Sequence, residues 1–577
     1  MQYIHSWLTN RTTLVALIVL ACHAGLLVYG SSKNSPARDE VGHLTAGLSH
    51  LEMQKFDLYR VNPPLVRTIA AIPLWLSPAK RDWEHYLGGH FDRPEFRVGY
   101  DFIAANGQDA FQYFTYGRLI CVPFSLLTGW ICFRWGTELF GPIAGLLATT
   151  LWCFLPEAIG NGQMLTPDAA ATSMGILFWY ANWHWQRDPT WRRTLLGGIA
   201  LGLAVLSKTT WLVAYPLLLC VTLVWTFSSC DITRISRWTR VAMMVCVSVY
   251  VLNLGYLFEG TGTRFGDFPF VSTTLSGQES KVAGNRFTNS VLGKLPVPLP
   301  RNFVLGIDVQ KYEFDERDYD SYLRGTWSKR GWWYYYIYGL CIKTPLGALA
   351  IIFSGTIVLA RYRPIAVPDV ASVLMPGLGI LFFVSSQTGF SHHLRYILPA
   401  TPYLLLLGCT VCYIDKQHRQ SNRTSRSLIA WQPVLITGCV GWSVISSLLC
   451  FPHSHSYFNE FIGGPSAGYK HMLNSNVDWG QDVHRVRDWL EANPQAAPLN
   501  FTPHCNYNIR AIGEDIPWDF ADTPPTKPGW YAISVNQLYR PDDRFADLHS
   551  FEPVERVGYS TYIYCLSSND IDSLPKR

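Results

Sequence analysis

The run TTLVALIVLACHAGLLVYG, residues 12–30, contains no Asp, Glu, Lys or Arg and is long enough to cross a bilayer as a helix. It is followed by SPARDEVGHLTAGLSHLEMQKFDLYRVNPPLVR, residues 35–67, which places Asp39 and Glu40 side by side just beyond the predicted membrane exit. If this segment is helical, His43 shares a face with Asp39, and an apolar stripe is expected to lie against the membrane, formed by Leu44, Leu48 and Leu51. The chain is therefore predicted to begin with a membrane crossing and then to present an acidic pair at the membrane surface.

The composition indicates a membrane protein that also has long polar segments. Of the 577 residues, 49% are hydrophobic and 14% aromatic, and only 15% are charged, against about 25% in soluble proteins. The mean hydropathy is nevertheless only +0.09, so the apolar runs must alternate with long polar stretches. The net charge of +5 says little about partners until the charges are placed along the chain.

Apolar runs of membrane-spanning length recur along the chain. A window of roughly 19 residues predicts an α-helical polytopic membrane protein with about eleven transmembrane helices, at residues 12–30, 117–135, 139–158, 168–185, 193–207, 209–229, 239–258, 340–360, 371–386, 396–413 and 429–450. The first run could instead be a cleaved signal peptide, because its N-terminal flank is basic. An odd number of spans, however, fits the loop charges only if this helix is retained.

The loop charges predict the orientation in the membrane. If the N-terminus is cytoplasmic, each short loop on that side carries an excess of Lys and Arg, as in QRDPTWRR and DKQHRQSNRTSR. The outer loops 31–116 and 259–339 then lie on the extracytoplasmic side, together with the tail 451–577. We therefore predict a transmembrane domain, residues 1–450, and a soluble extracytoplasmic domain, residues 451–577.

The tail is expected to form a small α/β domain. The stretches GWYAISVNQLY and STYIYCLSS alternate in the manner of β-strands, whereas DVHRVRDWLEAN has helical spacing. Cys505 and Cys565 are its only cysteines, and an extracytoplasmic location would allow them to form a disulfide. The domain could recognise an acceptor or cover a cleft, and its residues do not distinguish the two roles.

Further charged residues occur at the same predicted membrane face. Asp168 begins a span after the loop PEAIGNGQMLTP, so Asp168 and Asp39 could line one cleft. Either acid could instead belong to an ordinary helix N-terminus, where negative charge is favourable. Four cations also lie at outer span ends: Arg67, Lys208, Lys343 and Arg395. Snorkelling explains any one of them, but cations and acids at one level also make a site that can bind an anionic headgroup and remove a proton.

The segment DEVGHLTAGLSHLEMQKFDLYRVNPPLVRTIAAIPL, residues 39–74, resembles the first outer loop of the GT-C glycosyltransferases that use polyprenyl-phosphate sugars. This is the superfamily of protein O-mannosyltransferases and lipid A aminoarabinose transferases, glycosyltransferase family 39 and relatives. The stretches TPDAAA, SKTT and RYILPATPY agree with it, and YFNEFIGGPSAGYKHMLNSNVDWGQDV looks like the junction segment of bacterial members. Relatives that modify lipid A carry a Lys before Pro-Pro, assigned to the donor phosphate. Asn62 stands there in this chain, which raises Arg67 as a substitute.

The resemblance implies an inverting glycosyltransferase that moves a sugar from a polyprenyl-phosphate donor to a hydroxyl of a lipid, glycan or protein, on the extracytoplasmic face of the bacterial inner membrane. A carboxylate must take the proton of the attacking hydroxyl, and the departing phosphate needs fixed positive charge. The expected catalytic residues are Asp39 as the base, Glu40 and Asp168. Glu40 points off the same helical turn by about 100°, so it is expected to be a supporting hydrogen-bond or ion partner. The expected substrate-binding residues are His43, Arg67, Lys208, Lys343 and Arg395. The expected partners are the donor, the acceptor and membrane lipids, not nucleic acid.

Two other classes of function would leave different features in the sequence. A transporter or flippase of a lipid-linked glycan would carry charges at mid-membrane depth and broken spans in two matching halves, whereas the charges here gather at one face and no internal repeat is visible. A non-catalytic assembly or sensor protein would tolerate the loss of Asp39. The sequence contains neither a G-x-G-x-x-G motif after a predicted strand nor a P-loop, so it indicates no nucleotide cofactor. His392, His393 and the HSHS at 453–456 could bind a divalent metal together with Glu40 or His43, or these histidines could form ordinary hydrogen bonds.

Overall fold

The apolar run that opens the chain forms helix α1 (Gln2–Lys33), and the acidic segment after it forms helix α2 (Arg38–Met53). The computed structural model describes residues 2–87, 93–228, 234–279, 282–316, 319–387, 391–413, 426–513 and 515–575. Over these residues the helical part continues through α3 (Leu65–Ala70), α4 (Ile72–Trp75), α5 (Glu95–Asn106), α6 (Asp109–Phe140), α7 (Pro142–Cys153), α8 (Pro156–Gly162), α9 (Pro167–Arg187), α10 (Trp191–Ser207), α11 (Ala214–Ser228), α12 (Arg234–Gly255), α13 (Thr273–Ser276), α14 (Arg301–Asp315), α15 (Tyr335–Lys343), α16 (Leu346–Tyr362), α17 (Val367–Ser386), α18 (Thr401–Gly408) and α19 (Arg426–Cys450). Short 3-10 helices extend some of them, at Thr209–Val213, Leu394–Ala400 and Cys409–Val411.

The helical part has the length and apolarity of a multi-pass membrane protein. Within the described residues, seven helices are long and apolar enough to cross a bilayer, and the number rises to nine if each of two bent pairs is one span. The bent pairs are α7 with α8, at 59°, and α15 with α16, at 118°. Helices α9 and α10 lie where two more spans were expected. The polytopic helical architecture is thus confirmed, and the count of eleven stays a prediction.

Helix α2 is buried inside the protein and does not lie on the membrane surface. Its residues from Glu40 to His50 are all buried, and Leu44 and Leu48 belong to a core cluster with residues of α3 and α6. The expectation that these leucines face the membrane was therefore wrong. Gly47 permits the close packing, because a Cβ at this position would lie 2.0 Å from the carbonyl oxygen of Arg67.

The part after the last apolar helix contains one mixed sheet. Its strands are β3 (Leu499–Thr502), β4 (Trp518–Phe520), β5 (Gly529–Ser534), β6 (Glu555–Val557) and β7 (Thr561–Leu566). A separate hairpin between α14 and α15 is formed by β1 (Ser321–Leu323) and β2 (Thr326–Ser328). The sheet order is β4-β3-β5-β7-β6; β3 pairs in parallel with β4 and β5, and β7 pairs antiparallel with β5 and β6. Short helices accompany it, α20 (Val483–Ala492), α21 (Val535–Leu538) and α22 (Ser568–Ser573). The small α/β region expected at this end of the chain is thus confirmed.

The two cysteines of this region do not form the disulfide that an extracytoplasmic location would allow. Cys505 follows β3, and its Sγ lies 3.4 Å from the carbonyl oxygen of Tyr507. Cys565 is on β7 opposite Trp530, and both thiols are free. Because β5 lies between β3 and β7 in the sheet, the two strands are about 10 Å apart, which is beyond the span of a disulfide.

Candidate active site

Four of the predicted site residues form one chain of alternating charges. Lys208 Nζ lies 2.5 Å from Asp168 Oδ1. Arg395 Nε lies 3.4 Å from the other oxygen of Asp168, and Arg395 Nη2 donates to Asp39 Oδ2 at 2.8 Å. The structure therefore brings together two acids and two cations from segments that are far apart in sequence.

Each of these four residues lies at an end of its helix. Asp39 and Asp168 are in the first turns of α2 and α9, where negative charge is favoured by the helix dipole. Lys208 is the extended residue that ends α10, and Arg395 is the second residue of the 3-10 helix Leu394–Ala400. The charges therefore gather where helices stop and not in their middles.

Asp39 is the more exposed of the two acids in this chain of charges. Its side chain is 27% exposed, whereas that of Asp168 is 2% exposed and that of Arg395 is 7% exposed. Neither acid is the N-cap of its helix, since Ala37 and Thr166 occupy those positions. An ordinary capping role therefore does not account for either side chain.

Glu40 is turned away from this cluster and is fully bonded elsewhere. Its Oε1 accepts from Arg118 Nε at 2.8 Å and from the Leu165 amide at 2.5 Å. Its Oε2 accepts from Arg118 Nη2 at 2.5 Å and from the Ala37 amide at 2.7 Å. Both Glu40 and Arg118 are buried, and Arg118 also donates to three carbonyls between Ser31 and Ser35. This arrangement makes Glu40 a support for the α1–α2 connection, with no oxygen directed at the Asp39 cluster.

Sequence reasoning missed Arg118. It lies in the second predicted span, and a single Arg near the start of an apolar helix is a recognisable sign of a buried partner. The partner itself could not be identified, because Glu40 is 78 residues away in sequence.

A second group of cations lies around Tyr59. His43 stacks on the Tyr59 ring with centroids 4.0 Å apart, and the guanidinium carbons of Arg67 and Arg93 lie 5.5 and 5.0 Å from the same ring centroid. Arg67 Nε donates to His50 Nε2 at 2.8 Å. The buried Nη1 and Nη2 of Arg67 have no hydrogen-bond partner among the described residues, so this guanidinium still has donors to offer to an anion.

Burial lowers the pKa of His43 well below its usual range, and the positive charges of nearby Arg and Lys side chains lower it further. These side chains are Arg67, Arg93, Arg395 and Lys208. The imidazole is therefore neutral near pH 7. It can donate or accept a hydrogen bond there, but it adds no positive charge.

Lys343 belongs to a different cluster. Its Nζ lies 2.8 Å from Glu157 Oε1 and donates to the carbonyls of His455 and Asn476 at 3.0 and 2.7 Å. The side chain is 2% exposed. The structure gives this lysine three partners and does not bring it to Asp39.

Two residues that sequence reasoning missed hold Arg395. Arg395 Nη1 donates to Ser475 Oγ at 2.7 Å, and the guanidinium carbon lies 3.8 Å from the centroid of the Trp479 ring. Both residues lie in the junction stretch LNSNVDWGQDV, which the sequence comparison had already singled out. Their uncharged side chains had given no reason to place them at the site.

The described residues contain no group of three or more His, Cys, Asp or Glu side chains that could hold a metal ion. His393 Nδ1 instead lies 2.5 Å from Ser475 Oγ, and His392 Nδ1 lies 3.2 Å from Asn474 Nδ2. His455 stacks on Trp479. These histidines therefore have hydrogen-bonding and stacking partners in the structure.

One family model agrees with the resemblance seen in the sequence. Residues 113–256, which include Asp168 and Lys208, match the family described as dolichyl-phosphate-mannose-protein mannosyltransferase. No match is found among curated proteins. Similar solved structures include ArnT from Cupriavidus metallidurans, both bound to undecaprenyl phosphate (12% identity, TM-score 0.44, 98% of this chain and 100% of that one) and in the apo state (12%, 0.45, 98% and 99%). They also include the archaeal oligosaccharyltransferase AglB from Archaeoglobus fulgidus in complex with an inhibitory peptide and a dolichol-phosphate (12%, 0.42, 83% and 58%).

Proposed function

We propose that this membrane glycosyltransferase of the GT-C superfamily moves a sugar from a polyprenyl-phosphate donor to a hydroxyl of a lipid, glycan or protein, with inversion at the anomeric carbon. The observation that supports this most strongly is the pairing of Asp39 with Arg395, at 2.8 Å. It places a reachable carboxylate beside a buried guanidinium, which are the two groups that such a transfer requires.

The proposed step uses Asp39 as the general base. The acceptor oxygen attacks the anomeric carbon, its proton passes to the Asp39 carboxylate, and the bond between the anomeric carbon and the phosphate oxygen breaks. The polyprenyl phosphate leaves with the bonding electron pair. Base catalysis of this kind contributes about 10²–10⁴-fold.

Arg395 and Arg67 are the proposed phosphate ligands. Arg395 is held by Asp39, Asp168 and Ser475, so its planar guanidinium is already oriented. Arg67 has two buried nitrogens without a partner among the described residues, and leaving such donors unsatisfied is costly. Phosphate oxygens would satisfy them, which supports Arg67 in the role that relatives give to the Lys at the position of Asn62.

Asp168 and Lys208 are proposed to support this arrangement. The Asp168 carboxylate is shared between Lys208 Nζ and Arg395 Nε, so it fixes the distance between two cations that would otherwise repel each other. Glu40 is proposed to position Asp39 by fixing the first turn of α2 through Arg118. Asp168 and Glu40 are both less exposed than Asp39.

A deletion strain tests the function directly. Mass spectrometry of its lipids and glycans is expected to show one missing sugar, which returns when the wild-type chain is expressed but not when Asp39→Asn is expressed. The purified protein is then expected to transfer that sugar from its lipid-linked form. Transport across vesicles without any sugar transfer would contradict the proposal and favour the flippase alternative.

We also propose that the protein lies in the bacterial inner membrane with its N-terminus in the cytoplasm and its C-terminal region outside. The Lys and Arg excess of the short loops supports this orientation, although the loop DKQHRQSNRTSR lies almost wholly outside the described residues. Reporter fusions near residues 190, 235 and 420 are expected to report cytoplasm, and fusions at the C-terminus to report the outer side. A cytoplasmic C-terminus would reverse the scheme.

A further inference from the structure

The segment of residues 474–482, here called the strap, crosses the candidate active site. On one side it binds the start of α2, because the Arg38 amide donates to the Trp479 carbonyl and the Ser35 amide donates to the Gln481 carbonyl, both at 2.9 Å. These bonds lie next to Asp39 in sequence. The strap therefore contacts the segment that carries the proposed base.

On the other side the strap binds the segment that carries Arg395. The Leu394 amide donates to Asn476 Oδ1 at 2.9 Å, and Asn476 Nδ2 donates to the His392 carbonyl at 2.8 Å. Arg395 itself bonds Ser475 and lies over Trp479. The strap thus bridges the two segments whose side chains form the Asp39–Arg395 pair.

The strap also forms hydrogen bonds with residues at the ends of the C-terminal sheet strands. Ser534, at the end of β5, donates to the Asp478 carboxylate, and Asn536 Nδ2 donates to the Asp478 carbonyl at 2.8 Å. Ser560, just before β7, donates to Asp482 Oδ2 at 2.7 Å. Both aspartates are buried. The sheet and the active site are therefore joined through the strap.

The Trp479 ring has little freedom to move. It is 2% exposed, the Arg395 guanidinium lies 3.8 Å from its centroid, and His455 stacks on it with centroids 5.5 Å apart and planes 17° apart. A buried, stacked indole is a strong partner for a guanidinium. It fixes the plane of the guanidinium, and this plane decides which phosphate oxygens the N–H groups can reach.

We infer that the strap is part of the active site and that Trp479 is a positioning residue, which orients the Arg395 guanidinium toward the donor phosphate. This inference rests on the proposed function. It also assigns a role to the C-terminal region, which holds the strap in place. Trp479 makes no proton transfer itself and acts through Arg395.

The inference can be tested by binding of undecaprenyl phosphate to the purified full-length protein in nanodiscs. Trp479→Leu keeps an apolar side chain but removes the aromatic face, and we expect it to weaken binding about tenfold. Trp479→Phe keeps an aromatic face and is expected to stay within about threefold of wild type. Trp489→Leu is the matched control, because Trp489 lies on α20, the helix that follows the strap, and its indole N–H donates to Glu555 and not to a strap residue. It is expected to bind as wild type does.

A double-mutant comparison separates positioning from general damage to the fold. If Trp479 acts through Arg395, Trp479→Leu is expected to have almost no further effect on binding in an Arg395→Ala background. Ser475→Ala removes the hydrogen bonds of the Ser475 hydroxyl to Arg395 Nη1 and His393. It is expected to weaken binding of undecaprenyl phosphate about threefold. This variant replaces Trp479→Leu in the test if Trp479→Leu does not fold.

The outcomes distinguish this inference from the proposed function. If Trp479→Leu and Ser475→Ala both bind undecaprenyl phosphate as tightly as the wild-type protein does, the proposed role of the strap is overturned. The proposed donor class is not affected by that result. Equal effects of Trp479→Leu with and without Arg395 would also overturn it. Absence of wild-type binding to undecaprenyl phosphate would contradict the proposed donor class, and with it the inference.

Discussion

Asp39→Asn is expected to fold and insert normally but to lose at least about 10²-fold in turnover. Asparagine has nearly the size of aspartate and is equally accepted near a helix N-terminus, but its amide cannot take the proton of the acceptor hydroxyl. Transfer by the purified variant, from the lipid-linked sugar identified in the deletion strain, measures the effect. Thermal unfolding of the same sample shows whether the fold is intact.

Two neighbouring substitutions are the controls for Asp39. Asp168→Asn removes the partner of Lys208 and Arg395, and Glu40→Gln removes the charge that pairs with the buried Arg118. Both are expected to lower turnover less than Asp39→Asn, and Glu40→Gln is expected to lower the unfolding temperature more, because a buried guanidinium is left without its counter-charge. Near-normal transfer by Asp39→Asn would exclude Asp39 as the base and make Asp168 the first alternative.

Arg395→Lys is expected to weaken donor binding by about tenfold, and Arg395→Ala by about a hundredfold. The guanidinium uses three nitrogens at once, Nη2 on Asp39, Nη1 on Ser475 and Nε toward Asp168. A single ammonium keeps the charge but cannot reach all three partners and still present donors to a phosphate. Titration with undecaprenyl phosphate measures the affinity, and the KM of the lipid-linked sugar should rise in parallel.

Arg510→Lys is the matched control for Arg395→Lys. Arg510 pairs with Asp519 in the C-terminal region, where both side chains are more than 60% exposed, so the exchange is expected to leave donor binding unchanged. If both Arg395 variants bind the lipid phosphate as tightly as wild type, the phosphate role passes to Arg67. Arg67→Gln is then the next variant to measure.

The grouping of Asp39, Asp168, Lys208 and Arg395 could be predicted because each stands where an apolar run ends on the same predicted face. Membrane topology leaves few places where such residues can lie. Their pairwise bonds could not be predicted, since these depend on which helices are neighbours. Asp39 and Arg395 are 356 residues apart in sequence.

Glu40 and Lys343 show why position along the chain is not enough. Glu40 follows Asp39 directly, but one residue turns a helix by about 100°, and its carboxylate meets Arg118 instead of the cluster. Lys343 lies at a helix end, as Lys208 does, yet it bonds Glu157 and two carbonyls. The rotation predicts that Glu40 points away from Asp39 and has a supporting role, but the residue pattern identifies neither its partner Arg118 nor the partners of Lys343. Trp479 was missed for a different reason: its side chain carries no charge, and the candidate site residues were chosen among charged and titratable side chains.

The bridge made by residues 474–482 has a consequence for the biogenesis of the protein. Chains are synthesised from the N-terminus, so Asp39 is in place long before Trp479 and Ser475 leave the ribosome. Until they arrive, Arg395 lacks both of these supports, and the Arg38 amide lacks the carbonyl to which it donates. In a growing chain, the Asp39–Arg395 pair is therefore expected to reach its final geometry only after residues 474–482 have been made and have docked against both segments.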